Sequence, residues 1–284
     1  IDETIAAIWH DALSRPLARR PVEKGGEEDE VDDIVGRPAG VLRECYPFPK
    51  SRPLHHGQDK HVNVVRHAPP TSGNTEAIVI FLPGISGGVG PCRAGGRNFD
   101  EHALFPSLAA DLSRSLPVDC HRVSWMSRSP DLDEMVHAVC RVVLYALTVA
   151  RTARPMRLVF IGHSFGGAVV FCAARQLTHM LSKSGGSARA HVAGIVGISP
   201  QAGGATGAAA AMAGVPKLII HSIDDKNLDY SSALLLYERA HQPKELKLLA
   251  TGGHNLEEHK QDLHNMLREW VVSKAELNQE LVDN

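Results

Sequence analysis

From residue 77 to its end, the 284-residue chain alternates short apolar runs of strand type with longer segments of helical period. Strands are predicted near 77–82, 119–125, 157–162, 192–199, 217–222 and 245–250. Helices are predicted between them, near 104–116, 131–153, 166–183, 229–241 and 255–275. This alternation leaves few folds open. It implies an α/β protein whose mainly parallel sheet carries helices on both faces. Two earlier strands, near 40–47 and 61–67, are expected as a leading antiparallel edge. Ser129 followed by Pro130 predicts the start of the second helix, as an N-cap with proline at the first helical position. The chain is long enough for one large domain, and its 43% hydrophobic and 22% charged residues are ordinary for a globular protein.

One strand hands over to its helix without a loop. In "LVFIGHSFGGAVVFCAARQL", residues 158 to 177, Leu158 to Ile161 form a continuous apolar run, the pattern of a strand covered on both faces. A largely buried helix begins a few residues later. Between them, Gly162 and Gly166 flank Ser164 at two residues on either side. Glycine there lets strand and helix backbones pass without side-chain clash. This is the G-x-S-x-G nucleophile elbow, which lifts a serine Oγ to the top of a sheet and to a helix N-terminus. Glycine-rich turns also bind phosphate, but the chain has no G-x-x-x-x-G-K-[ST] and no lysine in this turn.

An elbow serine needs a base, and the base needs an orienting acid. Both follow in chain order. The strand Leu218–His221 runs into a polar loop holding Asp224 and Asp225, and the strand Leu246–Ala250 runs into Gly252, Gly253 and His254. Both aspartates also suit a solvated turn, and one residue of register decides which of them points inward. His163, beside the serine, reads as a packing or hydrogen-bonding residue.

From about Gly40 onward the sequence resembles the α/β-hydrolase superfamily. The elbow "GHSFGG" carries the resemblance, with "HSIDDKNL" similar to the family's H-G-x-x-D-x-x-V segment and "GGHN" similar to its final histidine loop. The resemblance implies a catalytic triad of Ser164, Asp225 and His254, with Ser222 in place of the usual glycine. Asp224 stays open as the alternative acid. It implies an oxyanion hole made of the backbone N–H groups of Phe165 and Ile85, the latter in "FLPGISGG" after the third strand, where Pro83 replaces a common histidine. It also implies a sheet of about eight strands. The interval Pro200–Val215 is too short for a separate lid domain and predicts one small helix. "GGVGPCRAGGRNFDEH", residues 87 to 102, is a candidate flap or a plain surface loop.

Residues 1–36 read as an N-terminal extension to the hydrolase domain at 37–284. An amphipathic helix carrying Ile5, Ile8, Trp9, Ala12 and Leu13 precedes an acidic linker. That helix either docks on its own domain or offers its apolar stripe to a protein partner. No targeting segment is recognisable, and no run approaches the roughly 18 apolar residues of a membrane span. The five cysteines are scattered and contain no C-x-x-C, which reads as reduced thiols in a soluble, intracellular protein. The formal net charge of −2 points away from nucleic acid. "HHGQDKH", residues 55 to 61, reads as a loop, and the chemistry implied by the triad needs neither metal nor cofactor. The expected activity is hydrolysis of a small ester or thioester through an acyl-enzyme on Ser164. Peptidase or acyltransferase chemistry on the same triad is a variant of it. A catalytically silent subunit of a larger assembly, tethered by residues 1–36, is the alternative from another class.

Overall fold

The computed structural model describes residues 41–47, 61–70, 75–85, 104–125, 130–150, 155–183 and 190–277. Eight strands form one sheet: β1 (Val41–Pro47), β2 (His61–His67), β3 (Ala77–Leu82), β4 (Val118–Trp125), β5 (Met156–His163), β6 (Ala190–Ile198), β7 (Lys217–Ser222) and β8 (Lys244–Leu249). Their order is β1-β2-β4-β3-β5-β6-β7-β8. β1 and β2 pair antiparallel, as do β2 and β4, and every other neighbouring pair is parallel. The expected antiparallel edge followed by a parallel sheet is therefore present.

Six α-helices, α1 (Leu104–Ser115), α2 (Leu132–Val149), α3 (Phe165–Lys183), α4 (Thr206–Ala211), α5 (Ser231–Arg239) and α6 (Lys260–Lys274), and one 3₁₀ turn complete the described elements. The interior strands β3 and β7 are buried along their whole length. That is why their sequences run apolar without alternation: both faces of the sheet are covered. On one face Leu108 and Leu112 of α1, and Leu263, Leu267 and Val271 of α6, join Val79, Phe81, Val159 and Ile161 in a single cluster. The alternate residues Ile78, Ile80, Leu158 and Phe160 are equally buried. By the two-residue period of a strand they belong to the other face.

Two expected helix starts differ from those observed. The second helix is capped by Asp131, not Ser129, and begins at Leu132. The Asp131 carboxylate accepts the N–H of Glu134 at 3.0 Å, and an anionic cap is also favoured by the helix dipole. The last helix begins at Lys260, not near 255. Leu256 takes a left-handed conformation (φ 54°), and a 3₁₀ turn over Glu257–His259 follows it. An L-residue in that region cannot continue a right-handed helix.

Between Ser199 and Lys217 the only helix is α4, of six residues, so this interval holds no lid domain. The extension 1–36, the 87–102 segment and residues 55–60 lie outside the described residues. No helix among the described residues is long and apolar enough to cross a membrane. Cys120, Cys140 and Cys172 are free thiols, the first two buried.

A polar node interrupts the sheet at β2 and β4. Arg66 bonds to Asp119 through two guanidinium nitrogens, Nε at 3.0 Å from both carboxylate oxygens and Nη2 at 2.7 Å from one. Arg122 Nε donates to His67 Nε2 at 3.0 Å. His67 is buried, and burial together with the Arg122 charge pulls its pKa from 6.5 to about 4. The imidazole is thus neutral in the folded state at pH 6 but half-protonated near there when unfolded. Protons therefore favour the unfolded state, and stability should fall as pH drops from 6.5 towards 4. At about 1.4 kcal/mol per pKa unit, this residue accounts for at most about 3 kcal/mol. Urea unfolding at pH 7 and pH 4.5 should show a smaller loss in H67Q, which keeps an acceptor for Arg122 and does not titrate.

Candidate active site

Ser164 stands between the last residue of β5 and the first of α3, with φ at 55°. A serine in the left-handed region is uncommon, and three backbone hydrogen bonds hold it there. Its N–H donates to Ile198 O at 2.9 Å, and its carbonyl accepts from Gly167 N at 2.9 Å and Gln201 N at 3.0 Å. Glycine is obligatory beside it. A Cβ on Gly162 would collide with the Gly166 carbonyl, and one on Gly166 would collide with the Pro83 carbonyl. β5, α3 and the end of β3 thus meet backbone to backbone.

The loop after β3 lies against this turn. A Cβ built on Gly84 would sit 3.4 Å from Ser164 Cβ and 3.2 Å from His163 Nδ1. Ile85 follows, with its side chain half exposed. Phe165 is the first residue of α3, so its N–H has no acceptor within the helix. Trp125, the last residue of β4, touches both neighbours of the turn. Its indole N–H donates to Ile85 O at 3.1 Å, and its ring meets Phe165 edge to face at 5.4 Å.

The acid and base come from the ends of β7 and β8. Asp225 Oδ2 accepts from His254 Nδ1 at 2.7 Å and from His221 Nε2 at 3.0 Å. Its other oxygen accepts the N–H groups of Asn227 at 2.8 Å and Leu228 at 3.0 Å. The side chain is fully buried. Burial pushes its pKa up, but the hydrogen bonds from His254, Leu228 and Asn227 outweigh that and hold it below the usual aspartate range. His221 Nε2 also faces Leu228 O at 2.9 Å. Both its neighbours are acceptors, so this nitrogen carries the proton.

Asp224 occupies the other side of the turn. It is exposed, and its carboxylate accepts from Ser222 Oγ and from Gly253 N, the latter at 2.8 Å. The Ser222 hydroxyl and then the Gly253 N–H keep its pKa low. It ties the two loops together without touching the imidazole. His163 Nε2 donates to His254 O at 2.9 Å, and the two rings stand 4.9 Å apart.

The structure therefore joins Asp225 to His254 and sets Gly84 beside Ser164. All lie at the carboxyl ends of parallel strands, where open α/β sheets bind ligands. Among the described residues, no group of three or more His, Cys, Asp or Glu could hold a metal ion. Sequence reasoning missed His221 and Trp125. His221 opens the motif-like "HSIDDKNL" but carries no assigned role there, and Trp125 ends a strand, where nothing in the local pattern distinguishes it from sheet core.

The steric argument is directly testable. G162A should destabilise the protein by roughly 3 kcal/mol or more, since the methyl meets backbone that cannot rotate away. Gly207, in α4, has open space around it. G207A should be neutral or stabilising by up to about 1 kcal/mol. Denaturant unfolding of the two variants would check the contrast.

No protein-family model and no curated protein matches the sequence. Solved structures do match. Est1E from Butyrivibrio proteoclasticus is similar with a TM-score of 0.58 at 12% identity, over 83% of this chain and 99% of that one. An α/β serine hydrolase without lid from Xanthomonas campestris gives a TM-score of 0.55 at 16% identity, over 84% and 96%. A soluble variant of monoglyceride lipase from Saccharomyces cerevisiae, in complex with a substrate analog, gives 0.54 at 13% identity, over 81% and 98%. With this strand order and these likenesses, the chain has the α/β-hydrolase fold.

Proposed function

We propose that the protein is a serine hydrolase that cleaves a carboxylic ester or thioester through an acyl-enzyme on Ser164. The observation that carries this reading is the Asp225–His254 hydrogen bond, formed across two loops, with the His254 carbonyl bonded to His163, the neighbour of a serine held at φ 55°. With Nδ1–H committed to Asp225, the neutral imidazole presents a lone pair at Nε2. That nitrogen takes the Ser164 proton as Oγ attacks the carbonyl carbon. Asp225 stabilises the resulting imidazolium and fixes its tautomer. The N–H groups of Phe165 and Ile85 receive the oxyanion of the tetrahedral intermediate. Collapse breaks the bond to the alcohol or thiol, which leaves with the proton from His254. Water, deprotonated by His254, then attacks the acyl-serine and releases the acid and free Ser164.

The similar solved structures include a serine hydrolase and a monoglyceride lipase, which accords with acyl chemistry on this fold. The six-residue α4, where a lid domain would be inserted, favours a small ester that reaches the serine without a large rearrangement.

Labelling with a fluorophosphonate and turnover of p-nitrophenyl acetate test the reading. Wild-type protein should label at Ser164, and S164A should lose both labelling and turnover. A residual rate of roughly 10³–10⁴ over water is compatible with the surviving oxyanion donors. D225N should lower kcat by roughly 10²–10⁴, because the tautomer is no longer held. D224N should lower it less than about tenfold, since Asp224 bonds only to the loops. Folded wild-type protein that neither labels nor turns over would overturn the proposal and favour a silent subunit.

A further inference from the structure

We propose that Trp125 is a positioning residue for the oxyanion hole, holding its two halves in register from the end of β4. The assignment rests on the hydrolase reading above. The hole is made of two backbone N–H groups from different elements, Phe165 at the start of α3 and Ile85 in the loop after β3. No hydrogen bond between them can fix their spacing, because both are donors. Something else must do so. The Phe165 half is rigid, as the first residue of a buried helix. The Ile85 half follows Pro83 and Gly84, and a glycine turn offers no side-chain restraint of its own.

Trp125 supplies that restraint. Its indole N–H donates to Ile85 O at 3.1 Å, which fixes the residue from its carbonyl side. Its ring packs edge to face on Phe165, at 5.4 Å between centroids and 87° between planes. Trp125 is only 3% exposed, so its ring and N–H are largely shielded from bulk water. Its strand is also hydrogen-bonded to β3, the strand from which the Ile85 loop departs. One side chain therefore measures the gap between the two donors. Phenylalanine would fill the space without burying a polar nitrogen.

The distinction matters because an oxyanion hole works only when its donors stand at the right distance from the oxyanion. Loss of the indole bond frees the Ile85 carbonyl, rotation about the Ile85 Cα then lets the N–H on its other side move, and a misplacement of about 1 Å can cost on the order of 10² in rate. The effect falls on the transition state, since the ground-state carbonyl depends less on the hole.

W125F keeps an aromatic ring against Phe165 and removes the donor. With p-nitrophenyl acetate, W125F should lower kcat roughly tenfold to a hundredfold and leave KM within about threefold. Phenylboronic acid, whose serine adduct is a tetrahedral anion, should bind more weakly by the same factor as kcat/KM falls. Should W125F fail to fold, β-(3-benzothienyl)alanine at position 125 keeps the bicyclic shape with sulfur in place of N–H, and the same losses are expected. A kcat within twofold of wild type in either variant, or a fall in kcat with unchanged boronic acid affinity, would overturn this assignment alone. A wild-type chain that neither labels nor turns over would overturn the hydrolase reading and this one with it.

Discussion

The backbones of β5 and α3 cross at Gly162, Gly166 and Gly167 with no side chain between them, and the geometry of the candidate site follows from that crossing. A methyl on Gly162 or Gly166 would enter a carbonyl, and one on Gly167 would come within 2.7 Å of Pro200 Cβ. The end of β3, through Pro83, and the loop after β6, through Pro200, are therefore drawn onto the same turn. Ser164 completes the junction by giving its N–H to Ile198 and accepting from Gln201. Its left-handed backbone is not a local preference of serine. It is imposed by the ends of β3 and β6 and the first turn of α3, which close on it. Strain of order 1–3 kcal/mol at one residue persists only where the surroundings over-determine it, as they do here.

The second fixed point is electrostatic. A buried carboxylate is costly unless its lone pairs are filled. Asp225 has four donors, two backbone N–H groups on one oxygen and two imidazoles on the other. The backbone pair comes from its own turn, so the acid is half satisfied before the last loop arrives. His221, from within β7, adds a donor that does not depend on the β8 loop. The His254 loop docks onto this prepared anion, and Asp224 and His163 pin its backbone at Gly253 N and His254 O. The imidazole is thus located by contacts on both its ring and its main chain. A single Asp–His bond would leave the ring free to swing.

Most of the sheet was legible in the sequence because buried parallel strands leave continuous apolar runs. The elbow was legible because its glycines answer a steric demand that no other residue meets. The helix starts at Asp131 and Lys260 were not. Asp131 competes with Ser129 two residues away, and Leu256 looks like one more apolar helix position until its φ is known. The site was legible where a residue type is tied to a loop after a strand, as with Asp225 and His254. It was illegible where a residue ends a strand run and its role rests on its contacts. His221 reads as the end of an apolar strand, although its partner Asp225 lies only four positions on. Trp125 reads as core, and its bond to Ile85 spans forty positions. Ser222, where the resembled motif has glycine, acquires its purpose only with Asp224 in view.

The choice between Asp224 and Asp225 is made at the far end of β7. Lys217, Ile219 and His221 fall on one side of the strand, and Leu218 and Ile220 on the side that enters the apolar cluster with α1 and α6. Lys217 is 1% exposed, and its ammonium donates to the carbonyls of Met212, Val215 at 2.7 Å and His241 at 3.0 Å. It ties the chain entering β7 to the chain leaving α5. A one-residue slip would turn this amine into the apolar cluster, away from all three acceptors, and would carry His221 off the acid at the other end. An unpaired ammonium in such surroundings costs several kcal/mol, far more than a turn could recover. Two satisfied polar groups, one at each end of a strand with an apolar middle, therefore fix its register. With the register fixed, the first aspartate of the following turn must face outward, where it bridges loops. The second must face inward, towards the imidazole.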